Sequence, residues 1–292
     1  MAWNFMQRVA RRFGKKTGEV SDSLDRDIAY AVNTFEGYLR RLPGPEQDPR
    51  GKMVLEAGPG SNLAVALLWA CHGARAAVVD RFLAPFDESV HRPLYERLLG
   101  WLETNRPGLD PEPVRRVLDQ GRYPGDVVVL HSCALEELKI PPGERADITV
   151  SNAVLEHMYD FNQAARSLAG ASKPGAVGLH QVDFRDHRDF SRPLEYLLLS
   201  REEFLRMFHE RNGECGNRLR PREMDTALVR AGFEIRDFEA NMFAGQAYLD
   251  EFLPRLRRSG MSEYREWDAP DLSVTSGMYT LHRGSGPSLA QH

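Results

Sequence analysis

Cysteine is scarce in this chain: three in 292 residues, Cys71, Cys133 and Cys215, with no Cys-x-x-Cys pair. Such spacing supports neither a disulfide framework nor a zinc site, and a reducing cytoplasm is the expected compartment. Long apolar runs are also missing. No uninterrupted stretch approaches the ~20 residues of a membrane span, and the N-terminus has no apolar core of a secretory signal. Nor is there an excess of positive charge. The formal net charge is −4, which gives no general reason to expect nucleic acid as a partner. No internal repeat is present. What remains is a sequence with 42% hydrophobic residues, enough for a sizeable core, and a length that suits one α/β domain with a helical elaboration.

The most informative segment is Val54-Leu55-Glu56-Ala57-Gly58-Pro59-Gly60-Ser61-Asn62-Leu63. An apolar run ends in Glu56 and a Gly-x-Gly turn, and twenty residues beyond Gly60 a second apolar run closes on Asp80. This is the spelling of a nucleotide-binding βαβ unit. Gly58 and Gly60 can adopt backbone angles closed to other residues and bring a ligand against the main chain. Asp80, at the end of the next strand, can accept both hydroxyls of a ribose. A dinucleotide fold would want a third glycine at position 63, and Leu63 stands there. Its presence argues against NAD.

These residues resemble the class I S-adenosylmethionine-dependent methyltransferases, whose first motif has the form acidic-x-Gly-x-Gly, matched by Glu56-Ala57-Gly58-Pro59-Gly60. Further matches follow in order. Cys133-Ala134 stands where the family's adenine loop lies, with Cys133 in place of the usual acidic residue. Ser151-Asn152-Ala153-Val154-Leu155-Glu156-His157 is similar to the fourth strand and its continuation, and Lys173-Pro174-Gly175 to the turn before the fifth. The resemblance covers residues 50 to 185 well. It implies a Rossmann-like α/β fold with a seven-stranded, mostly parallel sheet, and S-adenosylmethionine as cofactor. It also implies roles in holding that cofactor: Glu56, Gly58 and Gly60 at the methionine part, Asp80 at the ribose, Phe82, Cys133 and Ala134 near adenine, and Ser151 and Asn152 at the methionine end.

Strands are expected near 52–57, 75–80, 126–131, 146–152 and 176–184, with two more near 233–238 and 275–282, the last antiparallel. Residues 1–48 read as a helical leader or lid that ends at Pro43-Gly44-Pro45, and 49–292 as the methyltransferase domain. Cap segments are expected near 186–220 and 241–272. Residues 1–17 carry Arg8, Arg11, Arg12, Lys15 and Lys16 opposite Trp3, Met6, Val9 and Phe13. Such a basic amphipathic helix can touch a membrane surface, though packing on the sheet edge or over the site is the plainer expectation.

Methyl transfer to a hydroxyl needs in-line placement and a base. The densest group of candidates is His180-Gln181-Val182-Asp183-Phe184-Arg185-Asp186-His187. His180, Asp183 and, after the fourth strand, His157 are the candidate catalytic residues. In an extended strand His180 and Asp183 face opposite sides. Asp183, Asp186 and His187 are metal-ligating types but match no fixed ligand pattern, so no metal is expected.

Arg218 and Arg220 could hold an anionic acceptor, since guanidinium pairs with carboxylate or phosphate. Together with the 180–187 segment and Val274–Tyr279, this part resembles bacterial methyltransferases linked to surface saccharides or secondary metabolites. The expected activity is methylation of a small metabolite or sugar, most simply at oxygen. A cofactor-binding partner protein without turnover is the alternative, and an NAD-dependent oxidoreductase a weaker one. No Asn/Asp-Pro-Pro-aromatic motif follows the fourth strand, which argues against nucleic acid as substrate.

Overall fold

A computed structural model describes residues 17–44 and 48–284, with side chains from residue 23 onward. The basic segment up to residue 16 and the tail after 284 lie outside the described residues. Seven strands form one mixed sheet in the order β3-β2-β1-β4-β5-β7-β6. They are β1 Met53–Ala57, β2 Arg75–Val79, β3 Val128–His131, β4 Ala146–Asn152, β5 Ser172–Asp183, β6 Phe233–Phe243 and β7 Val274–Arg283. All seven expected strands are present. The described residues divide into two compact units, the first holding those up to 134 together with 146–148 and the second 135–145 together with those from 149 on.

In the first unit β2 pairs in parallel with β1 and with β3. Every residue of β1 is buried, as a continuous apolar run in a parallel strand demands. Helix α1, Thr17–Arg41, buries Ile28, Ala31, Val32, Phe35 and Tyr38, a stripe at helical spacing. That stripe meets α2, Ala64–Cys71, which is buried on all sides. The Phe35 ring stands edge-on to Trp69 at 4.8 Å, and Tyr38 stacks near the same indole at 6.5 Å. Helix α3, Glu88–Asn105, starts at an Asp87 cap whose carboxylate accepts the Ser89 N–H at 2.8 Å. The prolines of the following loop separate it from α4, Glu112–Gln120.

The second unit contains α5 (Phe161–Ala171), α6 (Arg201–Glu210), α7 (Pro221–Arg230), α8 (Gln246–Arg258) and the short α9 (Ala269–Ser273). Strand β7 runs antiparallel to both β5 and β6. The segments read as a cap share an apolar cluster that includes Leu194, Tyr196, Phe204, Phe208, Phe252 and Leu256. Glu195 ties α8 to this cluster through Arg255, with N–O distances of 2.9 and 2.7 Å. Among the described residues no helix is long and apolar enough to cross a membrane.

Candidate active site

In the first unit the turn after β1 is left-handed at two points, φ being 66° at Gly58 and 78° at Gly60. A Cβ at either would strain the backbone. The Gly58 N–H donates to the Val79 carbonyl at 2.9 Å and so joins the ends of β1 and β2. Space is open around Gly60 where a Cβ would stand.

Helix α3 pins the rest of the turn, a contribution that sequence reading missed. His91 Nδ1 accepts the Asp87 N–H at 2.8 Å, so its proton lies on Nε2, which donates to the Ser61 carbonyl at 2.9 Å. Leu63 precedes α2 and its N–H has no partner within that helix. It donates to the hydroxyl of Tyr95 at 3.0 Å, which in turn lies 2.8 Å from the hydroxyl of Tyr123. Leu63 itself is buried. Only a helix-like spacing of His91 and Tyr95, four apart, could have hinted at this support in the sequence.

Glu56 is 7% exposed, and its Oε2 has no hydrogen-bond partner. Burial pushes its carboxyl up to about 8, against the opposing hydrogen bond from the Ala66 N–H. Asp80 accepts the Phe82 N–H at 2.7 Å through Oδ1. Burial raises its carboxyl, opposed by that hydrogen bond. Phe82 is 63% exposed, so it is not packed in the core. The Cys133 N–H donates to the His131 carbonyl at 3.0 Å, and Ala134 beside it is buried. Two left-handed glycines, one of them exposed with open space around it, a carboxylate at a strand end and an unpartnered buried carboxylate oxygen suit S-adenosylmethionine, whose amino group and ribose hydroxyls are donors.

In the second unit His180 is wholly enclosed. Its Nδ1 lies 2.8 Å from Ser151 Oγ and its Nε2 3.2 Å from Thr149 Oγ1, so it bridges two hydroxyls of β4. Burial lowers its imidazole to about 3. His180, Val182 and Phe184 are all buried, while Asp183 and Arg185 on the other face are partly exposed, as alternation along a strand requires. After Asn152 at the end of β4 the chain turns sharply at Ala153, whose φ is 54° and whose N–H donates to the Gln181 carbonyl at 2.9 Å.

A polar cluster gathers beyond this turn. His157 Nδ1 lies 2.9 Å from the Gly213 carbonyl and must therefore carry the proton. Burial lowers the His157 imidazole, against opposing contributions from that hydrogen bond and from Asp183. The rings of His157 and His187 meet edge-on at 5.1 Å. Asp183 is clasped by Arg185, with Oδ1 accepting Nε at 2.9 Å and Oδ2 accepting Nη2 at 2.6 Å, and His187 Nε2 is 3.5 Å from Oδ2. Burial works to raise the Asp183 carboxyl, but the Arg185 bonds and the nearby His187 ring outweigh it and hold it below the usual carboxylate range. Glu156 is buried with both carboxylate oxygens unpartnered, and burial raises its carboxyl well above the usual range.

Asp186 is taken up by Arg188, whose Nε is 2.9 and 3.0 Å from its two oxygens. Among the described residues no three His, Cys, Asp or Glu side chains gather as a metal ion would require.

Arg218 and Arg220 correct the expectation of an anion-binding pair. Both are buried. Arg220 donates to the carbonyls of Phe184 at 2.8 Å and Leu272 at 2.9 Å, and also to that of Val274. Arg218 donates to the Leu199 carbonyl at 2.9 Å, pairs with Glu263 at 2.7 Å and lies over the Phe204 ring at 4.3 Å. Their guanidinium groups saturate main-chain carbonyls that would otherwise be buried without donors.

Residues 26–237 match a family described as the methyltransferase domain. Among curated proteins no significant sequence match is found. Solved structures with a similar fold include an S-adenosylmethionine-dependent methyltransferase from Mesorhizobium loti, 16% identical, covering 87% of this chain and 100% of that one with a TM-score of 0.49. Phosphoethanolamine N-methyltransferase 2 from Haemonchus contortus is 13% identical over 87% of this chain and 53% of its own, with a TM-score of 0.47. The YcgJ protein from Bacillus subtilis is 10% identical over 87% of this chain and all of its own, with a TM-score of 0.45. The family match spans well over half of the sequence and includes the glycine turn, Asp80 and the 151–157 segment, and the chain belongs to the class I S-adenosylmethionine-dependent methyltransferases.

Proposed function

We propose that this methyltransferase acts on a hydroxyl group of a small metabolite or sugar, with His157 as general base. The observation that carries this reading is the bond from His157 Nδ1 to the Gly213 carbonyl at 2.9 Å, which leaves the Nε2 lone pair for an acceptor hydroxyl. Burial keeps this imidazole neutral before it acts. Once it takes the proton, the nearby Asp183 carboxylate favours the imidazolium. A free amine needs no base to attack, whereas a hydroxyl does, so a neutral imidazole held in one tautomer suits oxygen.

When bound, S-adenosylmethionine supplies a methyl group activated by its sulfonium. In the first unit Gly58 and Gly60 would leave main chain open to the methionine part. Glu56 would accept from its amino group, and Asp80 would take the ribose hydroxyls. The exposed Phe82 would cover adenine, with Cys133 and Ala134 at its edge. In the second unit Ser151 and Asn152 would border the methionine end, Ser151 through its backbone because its hydroxyl is engaged by His180. His180 is assigned to holding β4, and the base role passes to His157. With Arg218 and Arg220 committed to carbonyls and Glu263, and Arg185 paired to Asp183, a neutral acceptor fits better than an anionic one.

Incubation with S-adenosylmethionine and a panel of sugars, alcohols and phenols tests the reading. Release of S-adenosylhomocysteine together with an O-methylated product supports it. Methylation only at nitrogen, or cofactor binding without turnover of any acceptor, overturns it. The second outcome would favour a non-catalytic partner protein.

A further inference from the structure

The residues between α6 and α7 make contacts that cofactor binding does not call for. Asn217, nearly buried, donates its backbone N–H to the Glu156 carbonyl at 2.6 Å. Its side-chain Nδ2 donates to the Leu155 carbonyl at 3.0 Å and to that of Met158 at 3.5 Å. Oδ1 accepts the Leu219 N–H at 3.2 Å. One asparagine thus holds the carbonyls on both sides of His157. Four residues earlier, Gly213 supplies the carbonyl that accepts from His157 Nδ1. The loop between them is tightly wound, with φ of 52° at Asn212, 77° at Gly213 and 83° at Gly216. An added Cβ at Gly213 would lie 3.1 Å from the His157 carbonyl and 3.3 Å from the Phe208 ring. The loop also receives the His187 N–H on the Cys215 carbonyl at 3.3 Å.

We propose that Asn217 is a positioning residue for the methyl transfer: by clamping the 155–158 turn against the 212–217 loop it holds the Gly213 carbonyl on His157 Nδ1 and so fixes the tautomer that leaves Nε2 free. The proposal rests on His157 being the base. It adds that this state is imposed from outside the turn. A bare imidazole in water places its proton mostly on the other nitrogen, so the imposed tautomer is a measurable departure. His187, Asp183 and Glu214 are the titratable groups that act on this ring. Asn217 lies between none of them and the imidazole by contact, so its loss acts through geometry.

The test is two-bond 1H–15N correlation on full-length protein labelled with 15N-histidine, with no acceptor needed. In the wild type the His157 signal is expected to show a protonated Nδ1 and an unprotonated Nε2. A protonated Nε2 in the folded wild type overturns the proposal directly. In Asn217→Ala, and independently in Gly213→Ala, the signal is expected to shift to a mixture or to protonated Nε2. With an acceptor in hand, kcat should fall at least tenfold while the dissociation constant for S-adenosylmethionine stays within twofold. A folded Asn217→Ala protein with an unchanged His157 tautomer overturns the positioning role while leaving the base assignment intact. Normal turnover in His157→Ala would instead remove the base assignment.

Discussion

The Nδ1 of His180 lies 2.8 Å from the hydroxyl of Ser151, inside a strand pair from which water is excluded. The same ring reaches Thr149 at 3.2 Å, so removing it strands two buried hydroxyls. Each unsatisfied buried polar group costs about 1–3 kcal/mol. His180→Ala should lower the stability measured by urea denaturation by at least that much, and turnover only in proportion to the folded fraction. A stable His180→Ala protein devoid of turnover would return the base role to His180.

His180 also links stability to pH. Its folded value is depressed to about 3 from the ordinary 6.5, so the unfolded chain binds its proton first. The stability it contributes is fully present above about 6.5 and is lost as the pH falls towards 3, at up to about 1.4 kcal/mol per pH unit. Comparison of the wild type with His180→Gln in acid titrations of stability should show a shallower slope for the variant across that window. Equal slopes would place the acid sensitivity elsewhere.

Tyr95 accepts the N–H of Leu63, the residue that precedes α2. Tyr95→Phe keeps the ring and deletes the acceptor. The expected cost is about 1–3 kcal/mol in stability, since an amide is left buried and unpaired, together with weaker binding of S-adenosylmethionine as the glycine turn loosens. Calorimetry checks both. Unchanged affinity would mean that the turn holds itself.

Burial disfavours the charge of Glu56 and pushes its carboxyl up to about 8, so it is protonated below that pH. If the carboxylate receives the cofactor's amino group, binding must release that proton. Affinity for S-adenosylmethionine should then rise with pH towards 8 and level off above it, by at most about tenfold per unit. Glu56→Gln should flatten the profile. A wild-type affinity independent of pH from 6 to 8 would place the amino group away from Glu56.

Asp80 has one carboxylate oxygen committed to the Phe82 N–H, which orients the other. Asp80→Ala should weaken cofactor binding by about tenfold or more, the scale of a lost charge-assisted hydrogen bond, without altering the circular dichroism of the fold. Near-normal affinity would remove the ribose role.

The strands were legible because apolar runs ending at Glu56, Asp80 and Asn152 are bounded by glycine, proline and polar residues, and such local patterns decide where a buried strand can lie. The alternation around His180 likewise separated its face from that of Asp183. What the sequence did not reveal depends on partners far along the chain. Arg218 and Arg220 look free when read beside their neighbours, yet they face carbonyls of residues 184, 199, 272 and 274. Nothing local marks a carbonyl as short of a donor. His180 is similar: a histidine at a strand end invites a catalytic reading, and nothing local shows its two hydroxyl partners on β4. The support of Ser61 and Leu63 by α3 spans some thirty residues and leaves no motif.

The most direct measurement is single-turnover formation of S-adenosylhomocysteine with a hydroxyl acceptor found by the panel, comparing wild type with His157→Ala at equal cofactor occupancy. The expected result is a loss of about 10²- to 10⁴-fold in the rate of transfer, the usual contribution of a general base, with unchanged affinity for S-adenosylmethionine. Transfer at the wild-type rate by the His157→Ala protein would contradict the assignment of His157 as the base that prepares the acceptor hydroxyl.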